Sequence, residues 1–315
     1  MSGIVRLNQL PEGSGNLTSD DIFVFMDDPS GSAVTKKISL SEIVDVIPKS
    51  QPFDPTILIN DDNSVSAYML TSIWDNQFEN FTAIGLRIGD SVTSIGNDAF
   101  YFCSGFTGNL TIPDSVTTIG SNAFNNCSGF TGNLTIPDSV TTIGSDAFYF
   151  CSGFNGSLTI GNSVTTIGNY AFNSCAGFNG SLTIGNSVTS IGNYAFGYCY
   201  GFNGSLTIGN SVTSIGNNAF YFCSGFTGNL TIPDSVTTIG NYAFYACDGF
   251  NGSLTIGNSV TSIGNYAFHN CINFTNINSY VARSVLDITN PFQGCTNITT
   301  LHARASDSSW TTGSD

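Results

Sequence analysis

Nine cysteines stand at Cys103, Cys127, Cys151, Cys175, Cys199, Cys223, Cys247, Cys271 and Cys295, each 24 residues after the last. Thiols on a fixed spacing can cross-link, hold a metal or fill a core. An odd count leaves one thiol over in any scheme of pairs. In stacked turns of chain, successive cysteines would bring their Cα atoms near bonding distance. Their parallel Cβ vectors, however, oppose the disulfide torsion of about ±90°. Metal binding finds no CxxC and only His269 and His302 as imidazoles. The remaining reading is a ladder of buried free thiols, each a small apolar side chain with a weak S–H donor. Other reactive patterns are thin. Asp114, Asp138 and Asp234 recur with the period, as turn formers do. The stretches "MDDPSGS" and "NDDNS" lack the ligand spacing of a calcium loop and read as turns. No enzyme activity, metal or cofactor is expected.

The residues that place the thiols repeat with them. From Leu110 the unit reads L-T-I-[P/G]-[D/N]-S-V-T-[T/S]-I-G-x-x-A-F-x-x-C-x-G-F-[T/N]-G-[N/S]. It recurs at Leu86, Leu110, Leu134, Leu158, Leu182, Leu206, Leu230 and Leu254, without insertion or deletion. A ninth, degenerate unit over 278–301 keeps Phe292, Cys295 and Leu301. Residues 51–85 are expected to be a linker, marked by Pro52 and Pro55, followed by a capping turn that has lost the consensus. Leu110 and Ile112 around Thr111 predict a strand with one buried face. Pro113 or Gly161, with Asp or Asn, turns the chain. Val116 and Ile119 predict a second extended piece that Gly120 ends. Ala123, Phe124 and Cys127 have the spacing of a single helical or 3₁₀ turn. One unit cannot bury its apolar residues alone, whereas stacked copies can. At roughly 4.8 Å per rung the stack would be a rod about 45–50 Å long.

Composition narrows the partners. Charged residues are 9% of the chain, against about 25% in an ordinary soluble domain. Solubility therefore rests on Asn, Ser, Thr and Gly. The net charge is −15, with no Lys or Arg between Arg87 and Arg283. Phosphate neutralisation needs those residues, so nucleic acid and anionic membranes are excluded as partners. No run of 18 apolar residues is present to insert in a membrane. The first 15 residues hold no apolar core of a signal peptide, so synthesis in a cytoplasm without a secretory leader is expected.

The string "LTIPDSVTTIGSNAFNNC" resembles the BspA-like leucine-rich repeat family over residues 86 to 301. The resemblance implies a leucine-rich-repeat solenoid with a parallel sheet on its concave side and short helical or 3₁₀ turns on its convex side. It also implies surface adhesion or ligand binding. One departure is visible. Phe106-Thr-Gly-Asn-Leu110 spaces two apolar positions by four, where the general pattern L-x-x-L uses three. A small β-rich module over 1–50 precedes the solenoid. Its "IFVFMDD" and "TKKISLSEIVDVI" predict two strands and a short helix capped by Ser41. This segment resembles the start of phage tail-fibre and other virion structural proteins. That implies attachment to other virion proteins through residues 1–50, often as a homotrimer. The alternative is a plain N-terminal cap on the solenoid. The tail 302–315 is expected to be flexible.

Comparing units within the chain separates fixed positions from free ones. The inward set hardly changes, and Thr111, Thr135, Thr159, Thr183, Thr207, Thr231 and Thr255 form a uniform ladder. Threonine is a good exposed strand residue; a hydroxyl array facing a polysaccharide or ice is the other reading. Variation gathers around Ala-Phe-x-x-Cys. There stand Tyr101, Phe102, Tyr149, Phe150, Tyr170, Tyr194, Tyr198, Tyr200, Tyr221, Phe222, Tyr242, Tyr245, Tyr266 and His269. Tyrosine mixed with Asn, Ser, Gly and Asp is the palette of adaptable binding surfaces, and aromatic faces also suit sugar rings. These residues are the candidate site for a host cell-surface glycan or protein. The competing reading makes them unconstrained residues that cover core edges. The sequence thus points to a virion protein, a tail fibre or receptor-binding adhesin. The alternatives are a BspA-like bacterial surface adhesin and an architectural virion component of baseplate, tail or capsid.

Overall fold

The computed structural model describes residues 21–27, 33–39, 57–59, 64–67, 72–73, 85–279, 281 and 290–302. The expected module over 1–50 lies outside the described residues except for two strands, and the expected tail lies outside them except for His302. Asp21–Asp27 pairs antiparallel with Ala33–Ser39, Phe23 opposite Lys37. The 24-residue units coil into a β-solenoid, a leucine-rich-repeat fold in which equivalent residues stack rung upon rung.

Two sides of most rungs are strands; the strand expected around Thr111 is the exception, since residues 110–112 form none. The [T/S]-I dipeptides form one parallel sheet of nine two-residue strands, from Ser72–Ile73 to Ser262–Ile263. Isoleucine pairs with isoleucine throughout, as Ile143 does with Ile119 and Ile167. The Leu-Thr-Ile side forms two four-stranded parallel sheets, one running from Leu134–Ile136 to Leu206–Thr207 and one from Leu230–Ile232 to Thr300–His302. Gly85–Ile88 pairs with Ser64–Ala67, itself antiparallel to Ile57–Ile59. Parallel pairing needs a crossover, and the remainder of each rung supplies it.

The register slips only at the ends. Leu254 pairs with Ile277, one residue short of the period, and Ile277 then pairs with Leu301 at full period. The shortening falls in the return loop, where Phe274-Thr-Asn-Ile277 has the three-residue spacing of the general pattern. In four consensus rungs the extra loop residue is absorbed by a left-handed glycine, Gly108, Gly132, Gly180 or Gly228, at φ of 76–80°.

The third side is not the expected helical or 3₁₀ turn. Around Ala-Phe-x-x-Cys, alternate N–H groups leave their own rung. Asp98, Phe100 and Phe102 donate to the carbonyls of Ser121, Ala123 and Asn125 in the next rung, each at 2.8 Å. Between them, Tyr101 and Cys103 donate back to Asp98 and Phe100 at 3.1 and 3.2 Å. Left-handed residues before Ala and before Cys, such as Asp98 at φ 53° and Phe102 at 59°, turn the peptides outward. A helix would direct every N–H along its own axis and leave none for the neighbouring rung. Left-handed φ costs about 1–2 kcal/mol for an L-residue. The inter-rung bonds offset that by pairing backbone donors that would otherwise be stranded.

The core is a set of columns. Phe100 to Phe292 stack every rung at 5.0–5.5 Å, and Phe106 to Phe274 at 5.0–5.9 Å. All nine cysteines are free thiols, eight buried and Cys295 half-buried. From Cys127 onward, each Sγ donates to the carbonyl of the Ala-Phe phenylalanine one rung earlier. Cys127 reaches Phe100 O at 3.0 Å, and Cys295 reaches Phe268 O at 3.1 Å. Phe100 O also accepts the Cys103 N–H, so one carbonyl ties two rungs. At a further corner Thr117 gives both its N–H and its Oγ1–H to Thr93 O, at 2.8 and 3.0 Å.

Burial holds the thiols protonated, with Cys199 pushed up to about 12 and Cys295 to about 11 from the ordinary 9.0. Below pH 9 the native and unfolded chains bind these protons equally. Above it the unfolded chain releases them and the native chain does not, so stability falls as pH rises from about 9 toward 11–12. Each thiol removes at most about 1.4 kcal/mol per pH unit in that window. Urea midpoints should therefore be level from pH 7 to 8.5 and drop steeply by pH 10.5. A level midpoint at pH 10.5 would contradict the buried ladder.

Candidate functional site

The left-handed backbone decides which side chains reach solvent. In each consensus rung the residue before Ala and the residue before Cys have φ between 53° and 61°. Among them are Tyr170, Tyr194, Tyr242 and Tyr266 before Ala, and Phe102, Phe150, Tyr198 and Phe222 before Cys. Bulky residues are uncommon at such φ, whereas Asn tolerates it. The chain itself uses Asn at equivalent places: Asn122, Asn126, Asn218 and Asn270. Eight aromatics therefore occupy positions that the backbone would give to asparagine.

The structure draws most of the candidate residues into one strip. Tyr149 meets Phe150 at 4.6 Å and Tyr170 at 6.3 Å, and Tyr170 stacks on Tyr194 at 4.9 Å. The strip continues through Tyr221 to Tyr198 and Phe222, and from Tyr221 to Tyr245 at 4.9 Å. Tyr242, Tyr266 and His269 close it, His269 lying on Tyr245 at 5.1 Å. Tyr101 and Phe102 form a separate pair at 4.5 Å, cut off by a polar rung. In that rung buried Asn125 donates to Asn122 and accepts from Asn126. Tyr200 is the most exposed of the set, at 58%. All seven large apolar side chains exposed among the described residues lie on this edge: Phe102, Phe150, Tyr170, Tyr198, Tyr200, Phe222 and Ile272.

Ring geometry changes the chemistry expected of the strip. Tyr170 and Tyr194 lie within 6° of parallel, Tyr198 and Phe222 also within 6°, and Tyr221 and Tyr245 within 20°. Those rings spend their faces on one another, so the strip presents mainly edges and phenol hydroxyls rather than platforms for sugars. Burial first, then neighbouring tyrosines, holds the Tyr194 and Tyr221 hydroxyls above their ordinary 10.0, which keeps them neutral donors. Gly197 makes room in the centre of the strip: a Cβ there would lie 2.6 Å from Asn173 Nδ2 and 3.1 Å from the Tyr194 ring. Asn173, Gly197 and Ile272 are parts of this edge that the aromatic pattern did not include. The one signal for its geometry is the recurrence of asparagine at the left-handed positions.

The threonine ladder lies elsewhere. Thr111 to Thr231 are exposed, and an open groove of about 660 Å³ runs past Thr135, Thr159 and Thr183 between Asp138 and Asn162. Among the described residues no group of three or more His, Cys, Asp or Glu is placed to hold a metal. No helix among them is long and apolar enough to cross a membrane.

The fold and this edge define an elongated repeat protein with one aromatic flank. The BspA type leucine rich repeat region matches residues 71–203 and 201–312 in six copies, and the chain belongs to that family. No curated protein matches the chain. Similar solved structures include a leucine rich cell surface protein from Faecalibacterium prausnitzii A2-165, at 20% identity over 82% of this chain and 96% of that one, TM-score 0.37. The T. pallidum leucine rich repeat protein has 20% identity over 77% and 86%, TM-score 0.39. The pneumococcal vaccine antigen PcpA has 17% identity over 76% and 79%, TM-score 0.41.

A Tyr194→Asn change loses stacking worth about 0.5–1.5 kcal/mol and relieves left-handed strain of about 1 kcal/mol. Its urea stability should stay within about 1 kcal/mol of the parent. Phe172→Ala in the inner column should cost about 3–5 kcal/mol. Equal losses in the two variants would show the tyrosine edge to be a structural cover.

Proposed function

We propose that the chain is a non-enzymatic recognition rod whose aromatic edge binds a partner on a host cell surface. One observation carries the reading: eight aromatics sit at left-handed positions where asparagine serves the same fold at lower strain. Local rules are broken in this way where function demands it. The stacked rings favour a protein partner over a glycan, since hydroxyls and ring edges are what the strip offers. The absence of Lys and Arg from Arg87 to Arg283 favours neutral or cationic surfaces.

The N-terminal resemblance supports a phage tail fibre or receptor-binding protein, trimeric and held to other virion proteins through residues 1–50. Family membership favours a second reading, a BspA-like adhesin of a bacterial surface. Both use the same edge. Light scattering on the full chain separates them, since the fibre reading requires three copies of the 33.2 kDa chain and a monomer would remove it.

The central cluster gives the direct test. The parent protein should adsorb to cells of at least one strain in a bacterial panel. The triple variant Tyr194→Ser, Tyr198→Ser, Tyr200→Ser should keep its circular dichroism and lose adsorption by about 100-fold or more, as expected for central aromatic anchors. Unchanged adsorption would defeat the assignment of this edge.

A further inference from the structure

One carboxylate on the aromatic edge is unlike the others. Between Arg87 and Arg283 the chain carries seven aspartates and no Lys or Arg. Two of the turn aspartates are engaged: Asp138 Oδ1 accepts the Asn162 N–H at 2.6 Å and Asp234 Oδ1 accepts the Asn258 N–H at 2.8 Å. Asp146 is half-buried on the strip, and its carboxylate has no hydrogen-bond or ion-pair partner among the described residues. Burial raises its pKa above the ordinary 3.8. Tyr149 lies close enough for that charge to raise its own hydroxyl, after burial the largest influence on it.

The rings around Asp146 are not a stacked column. Tyr149 stands at 78° to Phe150 and at 80° to Tyr170, so the local walls face different ways. Phe150 and Tyr170 are 43% and 37% exposed. Tyr170 holds the position of Asp146 one rung further on. A half-buried carboxylate beside aromatic walls is relieved by a cation whose charge meets the oxygens and whose alkyl groups meet the rings. A single carboxylate with no other ligating group does not suit a metal ion. We propose that Asp146, Tyr149, Phe150 and Tyr170 form a binding site for an alkylammonium group. A lysine side chain on a protein partner and a quaternary ammonium headgroup share that chemistry. The site stands whether or not the strip binds a cell surface.

The chain contains its own control. The run D-A-F-Y-F-C occurs at Asp98–Cys103 and again at Asp146–Cys151. The next rung places Asn122 beside the first and Tyr170 beside the second. The first copy therefore lacks an aromatic wall.

Saturation-transfer NMR on the full chain tests the site, with tetramethylammonium and butylammonium as probes at constant ionic strength. Saturable binding is expected, with a dissociation constant on the order of 1 mM. Asp146→Asn and Tyr170→Asn should each weaken it about fivefold or more, and Asp98→Asn should not. Asn122 and Asn218 already occupy equivalent positions, so these variants keep the fold, which circular dichroism verifies. Tighter binding of tetramethylammonium supports the site with a headgroup as its source, and tighter binding of butylammonium supports it with lysine. No saturable transfer, or equal transfer in the Asp146→Asn protein, overturns the proposal.

Discussion

Each rung of this protein is completed by its neighbour. On the Ala-Phe-x-x-Cys side, the N–H groups of Tyr170, Phe172 and Ser174 go to the carbonyls of Asn193, Ala195 and Gly197 at 2.7–2.8 Å. The Phe172 carbonyl accepts the Cys175 N–H of its own rung and the Cys199 thiol of the next. These bonds require every rung to present the same atoms at the same height. A one-residue slip would strand several buried backbone groups at once, each at about 1–3 kcal/mol. That penalty accounts for the unbroken 24-residue period and for the thiol at one fixed place in it.

The exposed edge follows from the same bonds. Sending alternate N–H groups to the next rung requires left-handed φ at two residues per rung, and those residues stand on the outside of the turn. Their side chains are free of the core, which is why identity varies there, as it does at the neighbouring residues after Phe and after Cys. Asn would be the least strained choice throughout. Tyr and Phe at φ of 53–61° spend stability that the phenylalanine columns and thiol ladder supply. Stacking between neighbouring tyrosines returns part of it and makes the edge rigid before any partner arrives. Preorganisation of that kind lowers the entropy lost on binding.

Much of this was legible in the residues. The alternation Leu-Thr-Ile announced a one-faced strand, and the cysteine interval announced stacking rather than cross-linking. The Ala-Phe-x-x-Cys segment was misread as a helical turn because inward residues one and three apart fit either geometry. What separates the two is where the intervening N–H groups go, and inter-rung bonding leaves no apolar period to read. Its trace is the Asn at positions 122, 126, 218 and 270, a residue that favours left-handed φ. The aromatic candidates were named from their variability, yet ring orientation is set by packing between rungs. The unit therefore could not show that many faces are turned on one another. The slip at Ile277 was hidden because Cys271 and Cys295 keep their interval across it.

The most direct test of a recognition edge built on a self-completing stack is where a bound partner lies. A photo-reactive phenylalanine analogue can replace Tyr198 on the aromatic edge or Thr159 on the threonine side, and each protein can be irradiated on adsorbing cells. The account predicts a covalent adduct with a cell-surface protein from position 198 and none from position 159. An adduct from 159 alone would contradict it and move recognition to the threonine ladder.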